Sequence, residues 1–245
     1  MKICGFILAA GMGTRLRTIF PDIPKPLVPV AGKPAISWAM EILRETGAER
    51  IIVNTHYQRE RMKKELPPLA PPGIELLLSE EETLLGTGGG ILKAREGFLS
   101  YDWLVVINAD ILTDFRPGTL LKRLEKDKTE AHLVCSESGP VAEMGKIGLM
   151  PSGKVWFPGQ ADGDKTIRKG VFMGLHVIRP SVLGHIKKEG PVSIIEIYRQ
   201  LIGEGKKIRG SFTRKFWVDL GTEDGYRRAL QHLSERPERA LQEQG

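Results

Sequence analysis

The sequence predicts an α/β fold, a mixed, mostly parallel central sheet flanked by helices, and three observations carry that expectation. Short apolar runs at Ile3 to Ala9, Arg50 to Asn54, Ile74 to Ser79 and Trp103 to Asn108 alternate with helical spacing at Ile36 to Glu45 and Arg59 to Leu66. That alternation reads as βαβ units around a parallel sheet buried on both faces. After Glu130 the pattern changes to strand-like pieces at Ala131 to Cys135, Lys146 to Met150, Val155 to Phe157 and Val171 to Ile178, separated by Gly and Pro turns, which gives the sheet a mixed extension. With 245 residues, 41% hydrophobic and 27% charged, the chain is long and apolar enough to bury a core.

Taken in order, the opening Met1 to Gly11 has the basic residue and apolar stretch of a short signal peptide. The stretch is short even for a signal and runs straight into a basic, glycine-bearing segment, so a buried first strand fits better. Leu66-Pro67-Pro68-Leu69-Ala70-Pro71-Pro72-Gly73 is a rigid connector, and at its length a loop within a domain. Helical patterns at Ser193 to Glu204 and Glu223 to Leu241 follow, with strand-like Ile208 to Phe212 and Phe216 to Val218 between them. There is no internal repeat and no hexapeptide β-helix periodicity at the C-terminus, so residues 1–245 are read as a single domain.

Composition excludes several classes. No apolar run approaches the roughly 18 residues a membrane span needs. Cys4 and Cys135 each sit in an apolar, strand-like run, which suggests reduced core residues of a cytoplasmic protein and leaves no cysteine set for zinc. The net charge is +6, yet the basic pairs Lys63-Lys64, Lys187-Lys188, Lys206-Lys207 and Arg227-Arg228 are scattered among glutamates as solvated helix faces are. Neither nucleic acid nor membrane is expected as a partner, and a monomer or small homo-oligomer is. A mild positive excess suits a small polyanionic substrate.

The strongest local feature is Leu8-Ala9-Ala10-Gly11-Met12-Gly13-Thr14-Arg15-Leu16, followed by Pro24-Lys25-Pro26. A glycine-rich turn at the end of a strand exposes backbone N–H groups to phosphate oxygens, and Arg15 and Lys25 add mobile positive charge. The Walker pattern fails for want of Gly-Lys-Ser/Thr, and the dinucleotide fingerprint fails because Leu16 stands where a third glycine belongs. On the glycines alone, an ordinary βα turn with surface basic residues reads equally well.

The stretch Leu8 to Trp38, including Pro24-Lys25-Pro26-Leu27-Val28-Pro29-Val30-Ala31-Gly32-Lys33-Pro34, resembles the signature of the sugar-1-phosphate nucleotidyltransferases. Leu85-Gly86-Thr87-Gly88-Gly89-Gly90-Ile91, Val106-Ile107-Asn108-Ala109-Asp110 and Trp217-Val218-Asp219-Leu220-Gly221-Thr222 resemble the same family in the same order. The likeness covers nearly the whole chain. It implies a Rossmann-like sheet of the nucleotide-diphospho-sugar transferase type and a Mg2+-dependent attack of a sugar 1-phosphate on the α-phosphorus of an NTP. A phosphate monoester has a second pKa near 6, so the nucleophile is already ionised at neutral pH and no general base is needed. Catalysis then consists of bringing anions together and neutralising their charge. No histidine falls in the four segments, which agrees. His56, His132, His176, His185 and His232 are expected to be structural or exposed.

Carried over by residue, the resemblance makes Arg15, Lys25 and Asp110 catalytic: Arg15 grips the triphosphate and Lys25 bridges the reacting phosphates. Ala10, Gly11, Met12, Gly13, Thr14, Arg15, Gly86, Thr87, Gly88 and Asn108 hold the nucleotide, with Gly88 facing the base. Asp110 and Asp219 are the magnesium ligands. Without the likeness, Asp110 reads as a capping or turn residue after a strand. Lys25, Gly148, Lys169 and Gly174 meet the sugar phosphate, although Gly148 and Gly174 read equally as strand bulges. Glu143, Lys165 and Arg168 are further polar candidates. Two departures stand out: Ala109 replaces the glycine common before the metal-binding aspartate, and the glutamate–lysine pair many relatives carry before Phe172 is replaced by Thr166-Ile167-Arg168-Lys169. The compact length, Gly88 to Gly90 and the missing β-helix resemble the branch that activates N-acetylmuramate, mannose or heptose 1-phosphate, with UTP or GTP as the nucleotide. Two alternatives stay open. One is a nucleotidyltransferase using CTP and a polyol phosphate or phosphocholine; the other is a silent relative that senses nucleotide sugars, though Arg15, Lys25, Asp110 and Asp219 are all retained.

Overall fold

The first strand, β1 (Ile3–Leu8), lies at the centre of the sheet. In the computed structural model, which describes residues 1–137, 146–157, 167–184, 186–188 and 190–236, the chain continues as β2 (Pro29–Val30), β3 (Lys33–Pro34), α1 (Ala35–Glu45), β4 (Arg50–Thr55), α2 (Arg59–Glu65), β5 (Glu75–Glu80) and α3 (Gly86–Lys93). There follow β6 (Trp103–Asn108), β7 (Ile111–Thr113), α4 (Gly118–Leu124), β8 (Ala131–Ser136), β9 (Lys146–Leu149), β10 (Val155–Trp156) and β11 (Arg168–Ile178). The last elements are α5 (Ile194–Gly203), β12 (Ile208–Thr213), β13 (Trp217–Asp219) and α6 (Glu223–Ser234).

Strands run β10-β9-β11-β6-β1-β4-β5 across the main sheet, with β8 on the other side of β11 and β12 beside β8. The β6-β1-β4-β5 portion is parallel, and β11 joins it antiparallel to β6. Chain order explains where a ligand can enter. The chain lays down β1, β4 and β5 in one direction and then returns to place β6 on the far side of β1, so the C-terminal ends of β1 and β6 flank a topological switch point, where open α/β sheets hold their ligands.

Successive residues of the central strands feed two apolar clusters. Ile3, Ile7, Trp103, Val105 and Ile107 pack with Met40 and Leu43 of α1, whereas Cys4, Phe6, Leu104 and Val106 pack with Phe98 and with Tyr198 of α5. Each large side chain so buried contributes about 1.5–3 kcal/mol. Both faces being covered is why the runs read as continuously apolar. Cys4 and Cys135 are buried free thiols, and burial pushes both up to about 12. Among the described residues no helix is long and apolar enough to cross a membrane.

Most expected elements are found, displaced by one to three residues at their ends. The expected helix to Leu241 ends at Ser234 within the described residues, and its last part lies outside them. The sequence does not show α3, α4, β7 or the two-residue strands β2 and β3. The failure at α3 is instructive, because four of its eight residues are glycine and each costs about 1 kcal/mol of helix propensity. Tertiary packing overrides that cost. A Cβ on Gly88 would stand 2.6 Å from Ile197 Cδ1, and one on Gly89 would stand 2.8 Å from the Gly190 carbonyl oxygen, so the glycines let α3 press against α5 and the segment before it.

Two buried histidines give the fold an acid limit. His132 Nε2 lies 2.9 Å from Ser211 Oγ between β8 and β12, and His176 is hydrogen-bonded to the Tyr198 hydroxyl under α5. Burial lowers His132 to about 4 and His176 to about 3. The unfolded chain binds these protons near pH 6.5, so stability is fully present above that pH and is lost as pH falls toward the folded values. Unfolding free energies from urea titrations between pH 6.5 and pH 5 are expected to fall by about 1.4 kcal/mol per pH unit for each histidine. A flat profile over that window refutes the assignment.

Candidate active site

At the end of β1 the chain turns through Ala9, Ala10 and Gly11 to Gly13, which takes φ +61° and could not carry a side chain easily, since a Cβ would lie 3.0 Å from Lys25 Cβ. A short 3-10 turn, Thr14–Thr18, then carries Arg15, and a second, Lys25–Leu27, begins at Lys25. Pro24 and Pro26 on either side of Lys25 restrict that backbone and fix where its side chain starts.

Asp110 follows β6. Asp219 ends β13. The structure keeps β13 out of the main sheet: it pairs antiparallel with β7, Asp219 opposite Ile111, and Leu220 N–H donates to the Asp110 carbonyl at 2.8 Å. This ribbon holds the two carboxylates side by side. Lys25 Nζ enters between them, ion-paired with Asp110 and 3.5 Å from Asp219 Oδ1, the three side chains being 14%, 20% and 13% exposed. Arg15 approaches from outside, its guanidinium 3.6 Å from Asp219 Oδ2 and its side chain 57% exposed, a pair too solvated to hold the arginine firmly.

Gly221 completes the cluster. Its N–H donates to Asp219 Oδ1 at 2.6 Å, and a Cβ there would run into Lys25 Nζ and stand 2.7 Å from Asp219 Oδ1. Trp217 Nε1 donates to the Met173 carbonyl at 3.1 Å and ties the ribbon to β11, while Phe216 stacks on His232 of α6 at 3.5 Å. His232 in turn faces Asp114 at 3.2 Å, so that histidine braces α6, and His56 Nδ1 lies 2.9 Å from the Glu81 carbonyl oxygen. His185 lies outside the described residues.

Beside the charged cluster is a cavity of about 220 Å³, lined by Ala10 and Gly11 from the end of β1, by Leu84, Gly86 and Thr87 from the turn into α3, and by Asn108 and Asp110. Met12, Gly13, Thr14 and Arg15 follow Gly11 in turn, and the Met12 carbonyl accepts a hydrogen bond from Arg17 Nη2 at 3.0 Å. Gly88, expected to face a base, is instead buried behind this wall, its N–H donating to the Val192 carbonyl at 2.9 Å. The Thr87 hydroxyl accepts from Ile194 N–H at 2.9 Å, at the start of α5. Ala109 is 3% exposed and packs with Ile107 and Ile111, so its methyl belongs to the core and not to the crevice.

The sugar-side candidates divide. Gly174, at φ +71° beside the bulge between Phe172 and Leu175, is buried against the cavity residue Asn108: a Cβ would stand 2.6 Å from Asn108 Nδ2. Gly148 and Lys169 face each other across β9 and β11, farther along, with Gly148 packed against Trp156 and Lys169 Nζ 5.7 Å from the Trp156 ring centroid. Arg168 is engaged by Glu137. Glu143 and Lys165 lie outside the described residues. Sequence reasoning missed Asn54, Glu81, Leu84 and Gly221. Glu81 sits in a run of three glutamates that reads as solvated charge, and Asn54 ends an apolar run without any distinguishing neighbour.

Many known proteins are similar to this chain. The chain is 29% identical over 226 residues to the mannose-1-phosphate guanylyltransferase catalytic subunit beta of Drosophila pseudoobscura pseudoobscura, a match covering 88% of this chain but 58% of that relative's length. It is 28% identical over 219 residues to the N-acetylmuramate alpha-1-phosphate uridylyltransferase of Neisseria meningitidis serogroup B, covering 88% of this chain and 92% of that one. The fold superposes on a UDP-glucose pyrophosphorylase from Acinetobacter baumanii with a TM-score of 0.79 at 18% identity, over 98% of this chain and 96% of that one. The family model for nucleotidyl transferases matches residues 4–236, a span that holds Arg15, Lys25, Asp110 and Asp219, and the chain belongs to that family.

Proposed function

We propose that the protein transfers a nucleotidyl group from an NTP, UTP or GTP, to a sugar 1-phosphate, releasing pyrophosphate and forming a nucleotide sugar, with Mg2+ as cofactor. One observation carries the reading: a lysine ammonium lies between two aspartates at the switch point of the sheet, against a cavity edged by a glycine-rich turn. The donor set suits magnesium, which takes few protein carboxylates and completes its octahedron with water and phosphate oxygens. That Asp110 and Asp219 already converge on one cation supports them as its holders. When bound there, magnesium supplies neutralisation of phosphoryl charge.

The chain's own residues do the rest. Ala10 to Gly13 offer backbone to the nucleotide, with Gly86, Thr87 and Asn108 on the facing side. The exposed Arg15 side chain turns from Asp219 toward the triphosphate. Lys25, held from both sides, places its ammonium where the phosphate nucleophile and the α-phosphate meet, and brings two anions together by cancelling part of their repulsion. The sugar lies along β11 toward Gly174, with Lys169 and Gly148 beyond. Proton abstraction has no part in this scheme, so none of the histidines is called on. The relatives' names divide between guanylyl and uridylyl transfer, which supports testing both nucleotides first. Residues 1–245 act in this reading as one domain in the cytoplasm, where buried thiols stay reduced.

The test is pyrophosphate release with magnesium, crossing UTP, GTP, CTP, ATP and dTTP against sugar 1-phosphates. Release with one pair, abolished by a chelator, is the expected result. No release from any sugar pair, together with a melting shift on adding an NTP, would shift the reading to a non-sugar acceptor or a sensor.

A further inference from the structure

Under the cavity, whose lining includes Asn54, runs a buried polar chain that the chemistry above does not use. Asn54, on β4, is 2% exposed, and Glu81, the residue after β5, is 1% exposed. Ala9 N–H donates to Asn54 Oδ1 at 2.7 Å, Asn54 Nδ2 donates to Glu81 Oε1 at 2.7 Å, and Leu85 N–H donates to Glu81 Oε2 at 3.0 Å. The turn after β1 is thereby linked to the turn that opens α3, and these are the two backbones that face each other across the cavity. Gly90 leaves the room, since a Cβ there would stand 2.5 Å from Glu81 Oε1 and 2.6 Å from Asn54 Nδ2.

The residue types follow from hydrogen-bond polarity. Both ends of the chain are N–H donors, so one link must offer an acceptor and a donor, which an amide does, and the other must offer two acceptors, which a carboxylate does. A buried carboxylate is costly unless N–H groups satisfy it, so the arrangement persists only as a complete set.

We propose that Asn54 and Glu81 are positioning residues that set the separation of the Ala10–Gly11 and Gly86–Thr87 backbones, and so the fit of the nucleoside part of the NTP. The proposal rests on the nucleotidyl-transfer reading. Polarity gives it a sharp test. N54D alone sets two carboxylates against each other, and E81Q alone turns one N–H donor onto another. The double variant N54D/E81Q restores all three hydrogen bonds with the charge moved one residue along, Asp accepting from Ala9 and from Gln, and Gln accepting from Leu85.

The full chain and its variants are assayed for KM of UTP and of GTP, KM of the sugar 1-phosphate and kcat, with the same NTP titrated alone by melting shift. Each single variant is expected to raise the KM of the accepted NTP by about tenfold or more, leaving the sugar phosphate KM within about twofold. The double is expected to return the NTP KM to within about threefold of wild type. Single variants with wild-type NTP KM, equal rises in both KM values, or a defect the double does not repair overturn the proposal. If the single variants do not fold, Gly90→Ala decides, because its methyl intrudes on the chain without changing charge: a selective rise in NTP KM supports the proposal and an unchanged KM overturns it. Wild-type protein that releases no pyrophosphate and shifts with no NTP overturns the nucleotidyl-transfer reading itself, an outcome distinct from an active enzyme indifferent to these variants.

Discussion

Asp110→Asn is expected to cut pyrophosphate release by about a thousandfold or more while the chain stays folded. In the proposed reaction, neutralising one of two carboxylates would remove a charged oxygen ligand for magnesium, and a metal ion that stabilises transition-state charge by several kcal/mol is worth about that factor. The fold has little at stake in the substitution. The side chain is 20% exposed, and what ties residue 110 to the ribbon is its carbonyl, which accepts from Leu220 N–H and is untouched. A melting midpoint within a few degrees of wild type, beside abolished turnover, is the expected pair of readings. Loss of folded structure would make Asp110 an ordinary turn residue, and wild-type turnover would remove it from the reaction.

Lys25→Ala comes next in size, with kcat expected to fall about a hundredfold to a thousandfold, in the range of other fixed charge-stabilising groups. Stability should respond to the buffer. With magnesium the midpoint is expected to stay close to wild type, because a cation again lies between Asp110 and Asp219. With chelator it should drop, because two partly buried carboxylates then face each other with the exposed Arg15 as the cation paired to them among the described residues. Unchanged turnover would take Lys25 out of the mechanism, and a midpoint indifferent to chelator would take it out of the carboxylate cluster.

What the sequence made legible follows from period and chemistry. The apolar runs at Ile3, Arg50 and Trp103 located central strands to within a residue, because a sheet covered on both faces leaves no polar position to blur the ends. Arg15, Lys25, Asp110 and Asp219 were legible because they sit in three of the four ordered segments, and the structure brings them to one spot. Helix α3 was not legible, since a glycine run opposes helix locally and only the approach of α5 explains it. Nor was the pairing of β13 with β7, three-residue strands too short to show a period. Asn54 and Glu81 carry no local mark because their meaning lies in partners at the ends of other elements.

The β7–β13 ribbon also dates the site within the life of the chain. Lys25 and Asp219 are 194 residues apart in sequence, and at about 5–20 residues per second a ribosome takes roughly 10–40 s to travel from one to the other. Through that interval the nascent protein already holds β1, the glycine-rich turn, Lys25 and, later, Asp110, yet it lacks the second carboxylate. In the proposed reaction, turnover waits until β13 emerges and docks on β7.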